Sequence, residues 1–358
     1  MKKKLSVFVV ILLVACSLSG CGTAAKSEAV EAGERLRIVT TIFPEYDWVM
    51  NVLGEQAAGA EVTMLLDNGV DLHSYQPTAA DIMKISVCDL FVYVGGESDE
   101  WVEDALQEAT NKDMEVINLL GELGDAVKEE EVVEGMQEEE HDHDHGHEEE
   151  DEDHDHDEDH DEDHEEDHDH DHDHDHEEET EYDEHVWLSL RNAAVLVSSI
   201  SDALQQIDGL HAADYQANAK AYIEKLNALD AQYQAAVDSA ANRTILFGDR
   251  FPFRYLVDDY GISYYAAFVG CSAETEASFE TVAFLAQKTD ELSLPAVMTI
   301  EGADHRIAET IVQNTETKDQ QILTMDSMQS TTSGDVQNGT TYLSVMEQNL
   351  SVLKEALR

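Results

Sequence analysis

Residues 87–96 read Val87-Cys88-Asp89-Leu90-Phe91-Val92-Tyr93-Val94-Gly95-Gly96. The unbroken run Leu90 to Val94 is rich in β-branched and aromatic side chains and is closed by a glycine pair. Such a run predicts a strand buried on both faces, as in a parallel sheet covered by helices. Its neighbours agree. Residues 37–42 and 61–66 are two further strand candidates, and residues 114–118 a fourth. Between them, a helix opens at Pro44 and runs to Leu53. A short helix covers Thr78 to Ile85, and Ser98 is read as the cap of a helix reaching Ala109. This β-α-β-α order predicts a mainly parallel sheet with helices on its faces.

Farther along, Asn192 is read as the cap of a helix to Ile207. From Ala212 to Ala240 neither Gly nor Pro occurs, and Tyr215, Ala219, Tyr222, Leu226, Leu229 and Tyr233 recur every three or four residues. A helix of that extent is roughly 40 Å long, more than one small lobe needs. A second series follows, with strands at 243–247, 263–267, 296–300 and 321–324. Helices are expected at 252–260, 276–292, 305–313 and 340–357. The expected fold is therefore α/β: two Rossmann-like α/β lobes joined by one long backbone helix. The boundaries are 36–210 for the N-terminal lobe, 211–241 for the linking helix and 242–358 for the C-terminal lobe. Ligands of such sheets sit beyond the carboxyl ends of the strands, so two facing lobes form a natural cleft.

Lobe one carries an insertion, placed at 129–184, that is almost wholly His, Asp and Glu. Thirteen of the 17 His residues lie in it: His141, His143, His145, His147, His154, His156, His160, His164, His168, His170, His172, His174 and His176. With nothing apolar to bury between His141 and His176, it is expected to be disordered. Imidazole nitrogens suit Zn, Cu and Ni, so an accessory role in collecting metal stands beside the plainer reading of a solvated acidic linker. The formal net charge is −59, and 35 of the 79 acidic residues lie between Glu129 and Glu184. The remainder still carries about −24, which argues against nucleic acid as a partner and favours cations.

Lys2, Lys3 and Lys4 followed by the apolar run Leu5 to Ala15 read as a signal segment, residues 1–20. Leu18-Ser19-Gly20-Cys21 has the form of a lipobox, so Cys21 is the expected lipidation site, with residues 21–35 as a tether. Cys88 and Cys271 remain; export permits a disulfide, but the sequence leaves their pairing open, and Cys88 reads as a small core residue.

Four His lie outside the tract. His73 and His185 fall on loops flanking the first sheet and form a candidate metal pair, although each alone reads more often as a structural histidine. His211 is expected at the start of the long helix, exposed, and His305 at a strand-to-helix junction. Asp249 and Asp326 follow strands of the second lobe at their carboxyl ends; each can be a helix cap or a ligand. No nucleotide-binding glycine pattern occurs, and neither Gly-x-Ser-x-Gly nor His-Glu-x-x-His is present.

On these segments the chain resembles the substrate-binding lipoproteins of bacterial ABC transporters for zinc and manganese, the cluster A-I metal-binding proteins. The resemblance is carried by Asp71-Leu72-His73-Ser74-Tyr75-Gln76-Pro77-Thr78, by Asp89 to Gly96, and by Asp183-Glu184-His185-Val186-Trp187-Leu188. It implies one metal held between two lobes, with His73, His185 and Asp326 as ligands. At the family's remaining ligand position stands Arg250, which cannot ligate; the neighbouring Asp249 is the expected substitute. It further implies zinc as transported ligand, with manganese as the alternative, and delivery to a membrane permease by an extracytoplasmic, lipid-anchored monomer that is not an enzyme. From other classes, an extracellular zinc-dependent hydrolase and a metal-buffering adhesin remain open.

Overall fold

The computed structural model describes residues 35–137, 181–272, 276–302 and 304–358. The signal segment, Cys21 and the thirteen His of the tract lie outside these residues. Lobe one is built from β1 (Leu36–Thr40), α1 (Phe43–Leu53), β2 (Ala60–Met64), α2 (Ala79–Val87), β3 (Leu90–Tyr93), α3 (Trp101–Gln107), β4 (Glu115–Asn118), α4 (Leu119–Leu123) and α5 (Leu190–Ile207). The linking helix is α6 (Ala212–Ser239). Lobe two comprises β5 (Thr244–Phe251), α7 (Arg254–Tyr260), β6 (Ser263–Val269), α8 (Phe279–Glu291), β7 (Ala296–Ile300), α9 (Arg306–Asn314), β8 (Gln321–Met325), α10 (Ser333–Gln337) and α11 (Tyr342–Ala356).

Each lobe holds a four-stranded parallel sheet, ordered β2-β1-β3-β4 in the first and β6-β5-β7-β8 in the second. The two orders are the same, and each reverses direction beside its central first strand. Ligand crevices open at that kind of switch point, beyond the carboxyl ends. The central strands are apolar because helices cover both faces: all of β7 is buried, as are Leu90, Phe91 and Val92 of β3.

Local chemistry fixes the helix starts. Pro44 lies in the first turn of α1, and Glu45 accepts from the backbone N–H groups of Thr41 and Ile42. Two caps differ from expectation. Ser189, not Asn192, opens α5: its hydroxyl accepts from the Asn192 N–H. Ser98 lies in a 3-10 turn before α3, and its N–H is taken by Glu184 instead.

The seven buried positions of α6, Tyr215 through Val237, form one stripe packed on α5 and α1. Their apolar core continues through the helix into both lobes. The helix does not join the lobes alone. From lobe two, α11 returns to the same core: the Tyr342 hydroxyl donates to the Trp187 carbonyl, its ring meets Trp48 edge-on, and the Tyr233 hydroxyl donates to the Met346 carbonyl.

The insertion is narrower than 129–184. Lys128 to Gln137 forms a strap from lobe one to lobe two, where Gln137 N–H donates to the Ala267 carbonyl and Met136 is buried. On the returning side, Glu130 N–H donates to the Glu181 carbonyl and Asp183 N–H to the Lys128 carbonyl. Apolar Val133 and Met136 give the strap something to bury, which the acidic composition of the region concealed.

Asp47 of α1 is buried and accepts from the hydroxyl of Tyr222 on α6, 2.9 Å away. Burial pushes its carboxyl up to about 6, against the pull of Tyr222. A raised carboxylate binds its proton more tightly folded than unfolded, so its contribution to stability is greatest below pH ~4 and is lost as pH rises through about 6. Asp47→Asn is expected to remove up to about 3 kcal/mol of that loss, read as a flatter dependence of urea unfolding on pH from 4 to 7. An unchanged slope would contradict the assignment.

Candidate metal site

His73 sits in a 3-10 turn (Leu72–Ser74) after β2, where Asp71 accepts its backbone N–H. His185 opens a second 3-10 turn (Val186–Leu188) and is fully buried. The sequence separates them by 112 residues, yet their Nε2 atoms lie 3.2 Å apart. The Nδ1 atoms determine what this contact means. His185 Nδ1 is 3.0 Å from Asp183 Oδ1, and His73 Nδ1 is 2.8 Å from Ser98 Oγ and 3.4 Å from Glu184 Oε2. Asp183 favours a proton on His185 Nδ1, while His73 Nδ1 has Ser98 Oγ as its hydrogen-bond partner with Glu184 beside it; in the Nδ1–H tautomer of both rings, two Nε2 lone pairs face each other. Two lone pairs at this distance repel unless a cation or proton lies between them. A tetrahedral zinc with ~2.05 Å bonds holds two nitrogens about 3.3 Å apart, close to the observed gap.

Close packing brings the second carboxylate into place. Gly96 has φ +81°, and a Cβ there would fall 2.3 Å from Glu184 Oε1; glycine is what lets Glu184 reach Ser98 and His73. Burial opposes ionisation of Glu184, but the hydrogen bonds from His73 and Ser98 outweigh it and hold the carboxyl below its usual range.

Lobe two closes over the pair. Arg250 donates from Nη2 to Asp71 Oδ2 at 2.6 Å and from Nη1 to the Ser272 carbonyl. Burial raises Asp71, yet Arg250 and His73 prevail and keep it low. Gln329 puts its amide 3.0 Å from His185 Nε2. With its NH2 turned to Asp71 it makes two 2.8 Å hydrogen bonds and its oxygen accepts from a protonated His185 Nε2; turned the other way, its NH2 donates to the His185 Nε2 lone pair. Trp187 Nε1 donates to the Ser327 carbonyl across the cleft.

Among the described residues, the donor atoms within 4.8 Å of one another belong to His73, His185 and Cys271. Neither expected aspartate is in that cluster. Asp249 is not a helix cap: it accepts from the N–H groups of Arg250 and Ile300 and ties β5 to β7. Asp326 accepts from Met328 N–H, and its own N–H is taken by Asn349. Beside it, burial and then the Asp326 charge push Glu301 up to about 7. His211 pairs with Asp208 at the start of α6, far along the chain from the cleft loops, and His305 lines a separate cleft cavity with Asp249 and Glu301. Cys88 and Cys271 are both free.

Sequence reasoning had weighed Cys271 only as a disulfide partner and had not singled out Gln329. The available signal was position: Gly270-Cys271 follows β6 at its carboxyl end. A cavity of about 290 Å³ leads to the pair, lined by Glu97, Glu130, Glu181, Glu184, Cys271 and His73 among others. Burial, then Glu181 and Glu184, raises the Glu97 carboxyl, the mark of crowded negative charge that a cation would relieve.

Residues 38–356 match the family model described as the periplasmic zinc-uptake complex component A. The zinc-binding lipoprotein AdcA of Streptococcus pneumoniae is 31% identical over 345 residues, 96% of this chain; the chain spans 60% of that relative's length. The high-affinity zinc uptake system protein ZnuA of Bacillus subtilis is 27% identical, covering all of this chain and 99% of the relative. The solved Zn(II)-bound ZnuA-like domain of Streptococcus pneumoniae AdcA superposes with a TM-score of 0.64 at 27% identity, over 90% of this chain and 99% of that one.

If Asp183 orients His185, Asp183→Asn should weaken binding of a divalent metal at this pair by about 10- to 100-fold, measured by competition with a chromogenic chelator. Unchanged affinity would remove Asp183 from the site.

Proposed function

We propose a function from one premise: the chain belongs to the family of the periplasmic zinc-uptake complex component A. It captures a zinc ion in the cleft between its lobes and delivers it to the permease of an ABC transporter, without catalysis. The observation that carries this reading is the pair of Nε2 atoms 3.2 Å apart, each backed through Nδ1 by a carboxylate. Two neutral imidazoles suit zinc better than manganese, which prefers oxygen.

In this reading His73 and His185 are the nitrogen ligands. Asp326 closes on the ion from lobe two by giving up the Met328 N–H, while Asp249, held by Ile300, contributes charge and no bond. The thirteen His of the tract gather zinc near the cleft through weak, exchangeable sites. Cys21 carries the lipid that keeps the protein, a monomer, on the outer side of the cell membrane; among the described residues no helix is long and apolar enough to cross a membrane. Release follows when the lobes part on the permease, and acidification also favours it, because protons compete for the same nitrogens.

Calorimetric zinc titration of protein lacking residues 138–180 tests the reading. One tight site is expected to persist. His73→Ala and His185→Ala should each weaken it more than about 100-fold, a loss of roughly 3 kcal/mol, and His211→Ala should leave it unchanged. Disappearance of all tight binding with the tract would overturn the cleft assignment.

A further inference from the structure

We infer that Cys271 is a zinc ligand, its thiolate completing the cleft site from lobe two; this rests on the capture reading above. Three observations carry it. First, Cys271 Sγ and the ligand atoms of His73 and His185 all lie within 4.8 Å of one another, and no other such group of His, Cys, Asp and Glu occurs among the described residues. Zinc takes sulfur and nitrogen together in tetrahedral sites, at bonds of about 2.3 Å and 2.0 Å, so a shift of an ångström or two completes the shell.

Second, the loop that carries Cys271 is pressed onto the histidine. A Cβ on Gly270 would fall 3.0 Å from His185 Cε1 and 3.0 Å from the Phe251 carbonyl. A larger residue at 270 would crowd the imidazole and the Phe251 carbonyl by a few tenths of an ångström. Glu130 of the inter-lobe strap accepts the Cys271 N–H and holds the same loop from the other side.

Third, the neighbouring strand leaves the position open. β5 and β6 run side by side, with Arg250 paired to Phe268 and Phe251 to Val269. Arg250 cannot ligate a cation and is drawn to Asp71. The next chain to reach the cleft at this level is the end of β6, where Cys271 lines the acidic cavity leading to the His pair. Binding releases the Sγ proton to solvent and forms the metal–sulfur bond; no electron is transferred. Adding a thiolate to the two His and Asp326 deepens the preference for zinc over manganese, because thiolate is a soft ligand.

Cobalt(II) titration of the full chain tests this. Thiolate ligation gives an intense near-ultraviolet charge-transfer band that imidazole and carboxylate ligands do not give. The band is expected to grow to one equivalent, to vanish in Cys271→Ser and in His73→Ala, and to persist in Cys88→Ser. Zinc affinity should fall more than about tenfold in Cys271→Ser. A cobalt site that depends on His73 but shows no such band, or a band retained in Cys271→Ser, overturns the assignment and leaves zinc capture standing. Tight binding indifferent to His73→Ala would instead defeat the capture reading itself. Should Cys271→Ser fail to fold, the unmutated chain decides. Bound zinc must then slow alkylation of Cys271 by iodoacetamide while leaving Cys88 unaffected, and equal labelling with and without zinc refutes the ligand role.

Discussion

Two imidazole nitrogens turned toward each other 3.2 Å apart are the constraint around which the rest of the cleft is arranged. Asp183 sits 3.0 Å from His185 Nδ1 and Glu184 3.4 Å from His73 Nδ1, and both carboxylates are buried. Their negative charge favours a cation at the facing Nε2 atoms. Around the pair, Asp71, Gln329 and Arg250 form the lattice that joins the lobes. Removing Arg250 would leave the Asp71 carboxylate without its guanidinium in a partly desolvated cleft, which is costly.

The scaffold explains how loops so distant in sequence meet with this accuracy. His73 and His185 both issue from lobe one, and the Trp187–Ser327 hydrogen bond links the His185 turn to the loop after β8. α6 and α11 share one continuous core with both sheets, so the lobes are backed by packed helices opposite the cleft. The cleft side carries an acidic cavity that attracts cations, while the opposite side is an apolar core.

Much of the fold could be read from the chain. All eight strands were expected within a few residues of their positions, because buried parallel strands are continuous apolar runs with glycine or polar ends. α6 was legible from its unbroken apolar stripe. The caps at Ser98 and Asn192 were misread because Ser, Asn and Asp crowd each helix start, and only geometry shows which side chain turns back to the N–H groups. The strap at 128–137 was hidden by the acidic composition that surrounds it. In the site, His73 stood out on a loop at the carboxyl end of a strand and His185 at the return to ordered sequence after the His-rich tract, and the structure brings them together. Cys271 did not stand out, since its relevance arises from the alignment of β5 with β6 and from the strap that holds its loop. Asp249 and Asp326 follow strands as the sequence suggests, and each carboxylate accepts from backbone N–H groups in the structure.

The central claim is that the facing Nε2 atoms exist to hold a zinc ion. Anomalous X-ray scattering from zinc-loaded crystals, collected on both sides of the zinc absorption edge, tests it most directly. The account requires a peak bonded to Nε2 of both His73 and His185. An empty cleft, with the two rings hydrogen-bonded to each other and zinc elsewhere on the molecule, would contradict it.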